Sequence, residues 1–218
     1  MKVTYLYHSG YLVETTNYNF IFDCINPNEL KLDEEKANLI FITHHHADHF
    51  VPEIFDLDGH FIVGFDVNVP PFINRYYQMK VGQTIKINEL EIKAFGSTDD
   101  GVSFYIEDID IKILYAGDLN NWHWKLESTA EEIETMNHEY LSIINEMKGM
   151  EVDLLFYPID PRMKVDLDLG LNQLLERIKV KRIFPMHFSP DLTAIHMYYQ
   201  SPSIDDRIVP VVERNSRY

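Results

Sequence analysis

A mixed α/β domain, with sheet layers covered by helices, is the fold class this chain predicts, and three observations carry the prediction. Short apolar runs of strand length fill the first half. Amphipathic helical stretches alternate with apolar strands in the second. No linker, repeat or low-complexity segment divides them, so 218 residues with 45% apolar content read as one domain over residues 1–218.

Residues 3–14 alternate loosely and are rich in Tyr and Val, which reads as strand; Asn17-Tyr18-Asn19 reads as a turn, with Phe20-Ile21-Phe22 continuing as strand. Leu39-Ile40-Phe41-Ile42 is a buried-looking strand, and 60–65 and 84–87 follow as further ones. Asn88-Glu89-Leu90 then leads into a strand over 91–95, a hairpin pattern. The acidic turn Asp108-Ile109-Asp110 separates strands 102–107 and 111–115 as a second hairpin. After Gly117-Asp118 the period changes. Ser128-Thr129-Ala130-Glu131 has capping-box spacing. Ile133, Met136, Tyr140, Ile143, Ile144 and Met147 then recur at helical spacing until Gly149, an apolar stripe that reads as core packing. A strand over 152–157, a helix marked by Leu171, Leu174, Leu175 and Ile178, and a last strand Arg182-Ile183-Phe184 complete the order.

Charge narrows the partners. Thirty-five acidic against 19 basic residues give a net charge of −16, which disfavours nucleic-acid backbones and anionic membrane surfaces, since both are bound by Lys/Arg patches. A small-molecule substrate is expected, and a local metal cluster can still attract a phosphate or carboxylate. The single Cys24 allows no internal disulfide and fits a reducing compartment. No signal-peptide core is present and no run approaches the ~20 apolar residues of a membrane span, so a cytoplasmic protein is expected.

The chemistry concentrates in residues 38–50, NLIFITHHHADHF. An apolar strand ends at Thr43 and then delivers His44, His46, Asp48 and His49. Residues i and i+2 share a face along extended backbone, so His44 and His46 project together while His45 points away. The turn that follows returns Asp48 and His49 to the same space. Imidazoles with a carboxylate are a ligand set for borderline divalent metals. Being internal and interrupted by Ala47, the run is not an expression tag.

Other strand ends offer partners, each with a plainer alternative. Asp118 follows Ala116-Gly117, small residues that let backbone approach something closely, or else it merely turns the chain. His187 follows Pro185-Met186, in a context where a lone His is often structural. Asp23 can hydrogen-bond a ligand imidazole from behind or cap a turn. His8, before Ser9-Gly10, either lines the site or sits at the surface. His123 follows Asp118 closely enough to reach the cavity, whereas its neighbours Trp122 and Trp124 read as packing for the next helix. Asp160 and Arg162 either contact substrate or pair with each other.

The order of these motifs resembles the metallo-β-lactamase-fold hydrolases: His44-His45-His46-Ala47-Asp48-His49, then Ala116-Gly117-Asp118, then Pro185-Met186-His187. The resemblance spans nearly the whole chain. It implies a four-layer αββα sandwich with the site at one edge between the sheets, and a Zn²⁺-type centre of one or two ions. It also implies a division of ligands. His44 and His46 serve the first ion, Asp48, His49 and His187 the second, and Asp118 bridges. One family element is missing. Relatives place a His where Ser97 stands in Phe95-Gly96-Ser97-Thr98-Asp99-Asp100-Gly101. Either Asp99 or Asp100 supplies an oxygen ligand, favouring a harder ion such as Mn²⁺, or one ion is held at Asp48, His49, His187 and Asp118, leaving His44 and His46 for hydrogen bonding or proton transfer.

The leading expectation is metal-assisted hydrolysis of an ester, lactone, amide or phosphodiester centre, with Asp48 orienting the nucleophile and shuttling its proton. Two readings compete with it: a degenerate member that binds metal or ligand without hydrolysis, and a di-iron (Fe²⁺) redox variant using a carboxylate near Ser97.

Overall fold

The computed structural model describes residues 1–189, 192–202 and 204–218. Among the described residues, twelve strands form two six-stranded sheets. The first holds β1 (Lys2–Tyr7), β2 (Gly10–Glu14), β3 (Tyr18–Phe22), β4 (Ala37–Ile42), β5 (His60–Gly64) and β6 (Tyr76–Met79), each beside the next in sequence. Its first three strands run antiparallel and the rest pair in parallel. The second is ordered β12 (Lys179–Met186), β11 (Glu151–Pro158), β10 (Lys112–Tyr115), β9 (Ser103–Glu107), β8 (Leu90–Phe95), β7 (Thr84–Ile87). There β7 to β10 form an antiparallel meander, while β10, β11 and β12 are parallel.

Alternation along β3 and β4 explains the layers. Phe20, Phe22, Leu39 and Phe41 join the large core that includes the second sheet, whereas Ile21, Ile40 and Ile42 turn to a smaller cluster on the opposite face. Aromatic rings bridge the sheets: Phe22 of β3 stacks on Tyr115 of β10 at 4.5 Å, and Phe41 of β4 meets Phe104 of β9 edge-on at 5.4 Å. Such pairs each contribute about 0.5–1.5 kcal/mol beyond area burial. Helices α1 (Ala130–Asn145), α2 (Leu169–Leu175) and α3 (Leu192–Tyr199) supply Tyr140, Ile144, Leu171, Leu174 and Ile195 to the large core. Over the first sheet the outer layer is thin, formed by the 3-10 turn Pro52–Asp56 and irregular chain that bury Ile54, Phe55 and Val67. Among the described residues no helix is long and apolar enough to cross a membrane.

Several boundaries differ from the sequence reading. The stretch 3–14 is two strands, because His8 takes a left-handed backbone (φ 53°) and folds the chain at His8-Ser9. The next turn falls at 15–17, where the Thr15 amide donates to the Tyr18 carbonyl, so Tyr18 already pairs with Ala37. The capping box lies one residue later than its spacing suggested. Thr129 caps α1 and Glu132 accepts back from the Thr129 amide at 2.7 Å, while the Ser128 amide is spent on the Trp124 carbonyl. Helix α2 ends at Leu175, leaving Ile178 in the turn before β12. Strand β6 and helix α3 carried no clear pattern: three of the four β6 residues are exposed, and α3 is only eight residues long.

The parallel strands β3, β4, β10, β11 and β12 all end on one edge of the sandwich. Asp23, Thr43, Asp118, Asp160 and His187 follow those strands directly or within a few residues. Ligands in open α/β sheets bind outside carboxyl strand ends for this reason.

Candidate metal centre

Thr43, just past β4, is where the scaffold grips the histidine run. Its amide donates to Asp23 Oδ1 at 2.8 Å and its hydroxyl to Asp23 Oδ2 at 2.7 Å. Two glycines press against it from the second sheet. A Cβ at Gly101 (φ 73°) would sit 2.1 Å from the Thr43 carbonyl oxygen and 2.5 Å from the His44 Cβ. One at Gly117 (φ 56°) would meet the Thr43 methyl at 2.8 Å. The close approach foreseen at Gly117 is therefore to the turn that launches His44, and it brings Asp118 with it.

Three imidazoles are set in one tautomer from behind. His49 Nδ1 lies 2.8 Å from Asp23 Oδ2 and His187 Nδ1 2.9 Å from Asp160 Oδ2. His44 Nδ1 lies 3.0 Å from the Thr43 hydroxyl, whose own hydrogen goes to Asp23. Each Nδ1–H thus has an acceptor, and each Nε2 turns its lone pair to a common space. Asp23 is fully buried and also accepts from the Tyr115 hydroxyl at 2.9 Å.

Asp118 stands between two groups of donors. Its Oδ2 is 3.6 Å from His44 Nε2, while its Oδ1 is 3.1 Å from His49 Nε2 and 3.5 Å from His187 Nε2. Asp48 Oδ2 lies 3.8 Å from His187 Nε2 and 3.3 Å from His8 Nε2. Among the described residues three sets could each hold a cation: His8, Asp48, His49 and His187; next to it His44, His46 and Asp118; and, toward solvent, His45, His46 and Asp100. Nε2 of His8, His44 and His49 and Oδ1 of Asp118 are buried yet make no hydrogen bond among the described residues. Close but misaligned donors are what a set aimed at a third atom presents, and leaving them unpaired costs about 1–3 kcal/mol each. The residues fit one or two divalent ions.

Electrostatics agree. Burial opposes charge on His49, but the Asp118 and Asp23 carboxylates outweigh it and raise its pKa well above the ordinary value. Burial likewise opposes charge on His187, and Asp118 and Asp160 lift it to about 9. Burial pushes the Asp118 carboxyl up, yet the imidazoles of His49 and His187 hold it well below the usual range. His44 is shifted down, first by burial and then by His49, and stays neutral. Buried carboxylates demand positive charge here, and a divalent ion meets that demand in place of protons.

The remaining predicted residues divide. His46 rests edge-on against His44 with ring centroids 4.7 Å apart, and His45 turns outward onto Asp66. Ser97 joins none of these donor sets; its hydroxyl accepts the Asp99 amide at 3.3 Å. The carboxylates after it approach His46 instead, Asp100 at 3.2 Å from Nε2 and Asp99 at 3.9 Å from Nδ1. Asp160 and Arg162 pair, with Arg162 Nε 2.9 Å from Asp160 Oδ2, and the pair supports His187. His123 does not reach the centre. Its Nε2 meets the Asp166 carbonyl and its Nδ1 accepts the Lys125 amide, which turns the ring toward the 164–168 loop.

Two residues carry more than their sequence context indicated. His8 packs 4.4 Å from the His187 ring and offers a donor beside Asp48. Trp122 lies 5.4 Å from the His187 ring and donates its indole N–H to the Asp118 carbonyl at 2.8 Å, so it walls the site and does not simply pack the next helix. The only foreshadowing was proximity: Trp122 is four residues past Asp118, and His8 precedes a Ser-Gly pair.

A larger hollow of about 420 Å³ lies at the opposite strand ends, among Asp108–Lys112, Glu151–Asp153 and Lys179–Lys181. Its lysines are already paired to Glu107, Glu151 and Asp153, so it offers no comparable chemistry.

Two packed mixed sheets with paired His/Asp donor sets at their carboxyl edge define a metallohydrolase-type sandwich. A family profile described as a beta-lactamase superfamily domain matches residues 2–187, and the chain belongs to that superfamily. A UPF0173 metal-dependent hydrolase of Carboxydothermus hydrogenoformans is 26% identical over 204 residues, covering 87% of this chain and 85% of its own. The metallo-beta-lactamase fold protein YhfI of Bacillus subtilis superposes with a TM-score of 0.66 at 12% identity, covering 100% of this chain and 98% of its own. Igni18, a metallo hydrolase of Ignicoccus hospitalis, gives 0.61 at 17% identity, covering 100% and 97%. These likenesses show the fold, which is the sandwich that the motif order implied.

Proposed function

We propose that the protein is a metal-dependent hydrolase acting on a small ester, lactone or phosphodiester-type substrate. The observation that carries this reading is Asp118, whose two carboxylate oxygens face separate sets of inward-aimed imidazoles. The metal-dependent hydrolase named among its relatives supports it as well. Asp48, His49, His187 and Asp118 would hold the tighter ion, Zn²⁺ in our reading. His44, His46 and Asp118, with Asp100 in the role left open by Ser97, would hold a second, more exchangeable ion with a preference for harder metals such as Mn²⁺ or Fe²⁺. A bound ion supplies a Lewis acid and a water acidified to a pKa of about 7.

The chain's own residues do the rest. Asp23, Thr43 and Asp160 keep His44, His49 and His187 in the tautomer that presents Nε2. The His8 imidazole beside Asp48 holds that carboxyl far below the usual range, so it stays ionised. An ionised Asp48 Oδ2 orients the attacking water by accepting its hydrogen bond, a role that suits it better than storing the proton. Arg162 fixes Asp160 and thereby His187.

The test is a panel of generic ester, lactone and phosphodiester substrates with Zn²⁺, Mn²⁺ and Fe²⁺. His49→Ala and Asp118→Ala should each lower turnover by at least about a thousandfold, the scale of losing an essential catalytic group, with circular dichroism unchanged. Turnover that survives either substitution sinks the reading. Stoichiometric metal binding without hydrolysis anywhere in the panel favours the degenerate reading, and metal-dependent oxidation of substrate by O₂ favours the di-iron one.

A further inference from the structure

Beside the metal centre lies a cleft of about 260 Å³ lined by Thr98, Asp99, Trp122, Trp124, Met136 and Arg162, and floored by Asp118 and His187. Its dominant feature is aromatic. The rings of Trp122 and Trp124 lie 11° from parallel with centroids 6.0 Å apart, and both are half-buried. Part of each ring is therefore open to the cleft, unlike Tyr140 and Tyr157, which are fully buried.

Both rings are held in place. The indole N–H of Trp122 is committed to the Asp118 carbonyl. Trp124 has a left-handed backbone (φ 38°), which is costly for so bulky a side chain, and the amides of Glu127 and Ser128 both donate to its carbonyl. An unfavourable backbone that keeps a half-exposed ring against the site marks a position set by what it binds. Met136 of α1 adds an adaptable apolar edge. Both exposed ionic groups lining the cleft face other partners: the Arg162 guanidinium is paired with Asp160, and the Asp99 carboxylate lies 3.9 Å from His46 Nδ1. The remaining attraction is that of flat, neutral, polarisable surface.

We infer that this cleft is the subsite for a planar, uncharged aromatic group of the substrate, held against the open side of the stacked Trp122–Trp124 pair with its scissile bond directed to His187 and Asp118. The inference rests on the hydrolase reading for what is cleaved and on the cleft alone for what is bound. The volume, just below the ~300–1,000 Å³ usual for ligand pockets, suits a group of one or two fused rings.

Trp122 and Trp124 are the chain's only tryptophans, so indole fluorescence reports this cleft alone. The probe is 4-nitrobenzyl alcohol, a neutral planar quencher with no bond to hydrolyse, added to the metal-loaded protein. We expect saturable quenching. In Trp124→Leu, which keeps apolar volume but loses the flat face, quenching of Trp122 should require about three- to tenfold more probe, the scale of one aromatic contact. Trp124→Phe, which restores a ring, should recover most of the affinity. Cyclohexylmethanol, apolar but not flat, should compete poorly. Quenching that rises linearly without saturation, or equal affinity in Trp124→Leu, overturns the subsite. Because the readout needs no turnover, saturable binding in a protein that hydrolyses nothing would fault the hydrolase reading alone. Turnover without saturable binding would fault the subsite alone.

Discussion

Asp160 shows how a single side chain acts through another. It is buried, its Oδ2 sits 2.9 Å from His187 Nδ1, and Arg162 caps it from outside. Removing it frees the imidazole to rotate and to change tautomer. Asp160→Ala should therefore weaken binding of the tighter ion about 10–100-fold, measured by competition with a chromogenic chelator, with Asp160→Asn intermediate. A second residue makes the opposite point. Burial, partly offset by the Asn26 amide, pushes the Cys24 thiol up to about 11. Well below that value the thiol stays protonated, and the side chain is buried, so at about pH 8 native protein should resist iodoacetamide, and alkylation measured by mass spectrometry should appear only on unfolding.

At the scale of elements, the site depends on how tightly the strand-end turns are pressed together. Gly101 lies between β8 and β9, its Val102 neighbour donates to the Thr43 carbonyl at 3.2 Å, and a Cβ there has no room. Gly101→Ala combines a disfavoured left-handed backbone with a clash against main chain, so a loss of about 2–4 kcal/mol is expected. Urea denaturation measures it. Because the displaced atoms belong to Thr43 and His44, the second, weaker ion should be lost with it, as metal analysis after dialysis would register. His8, Asp23 and His187 likewise leave their strands with left-handed backbones, at φ 53°, 37° and 65°. These turns aim three polar side chains back over the sheet edge, and the sheets' packing sustains them.

Across the whole molecule, folding gathers His8, His44, His49, His187, Asp23, Asp118 and Asp160 at one edge, all of them buried. Such a set is costly without a cation and stabilising with one, so metal and fold are linked. An ion present at a thousand times its dissociation constant adds about 4 kcal/mol to stability. Removing metal with EDTA should therefore lower the midpoint of thermal unfolding by several degrees, and Zn²⁺ should restore it. A midpoint indifferent to chelation would remove the ion from the folded state. The net charge of −16 acts at the same scale, setting up a field that opposes the approach of polyanions.

What the sequence by itself determined is whatever local period and motif order encode. The strands β3 to β5 and β7 to β11, the helix α1 and the His44–His49 run are legible because alternation, helical spacing and imidazole-dense punctuation act over a few residues. Asp118 and His187 became legible only through their order after that run. The finer choices belong to tertiary structure. No local pattern separates His8, which arrives beside Asp48 and His187, from His123, which turns away to Asp166. Nor does any pattern choose between Asp99 and Asp100, of which Asp100 comes nearer to His46, or say that Trp122 and Trp124 border the cleft. These outcomes depend on contacts between residues tens to more than a hundred positions apart, brought together when two twisted sheets pack face to face and their strand ends meet at one edge.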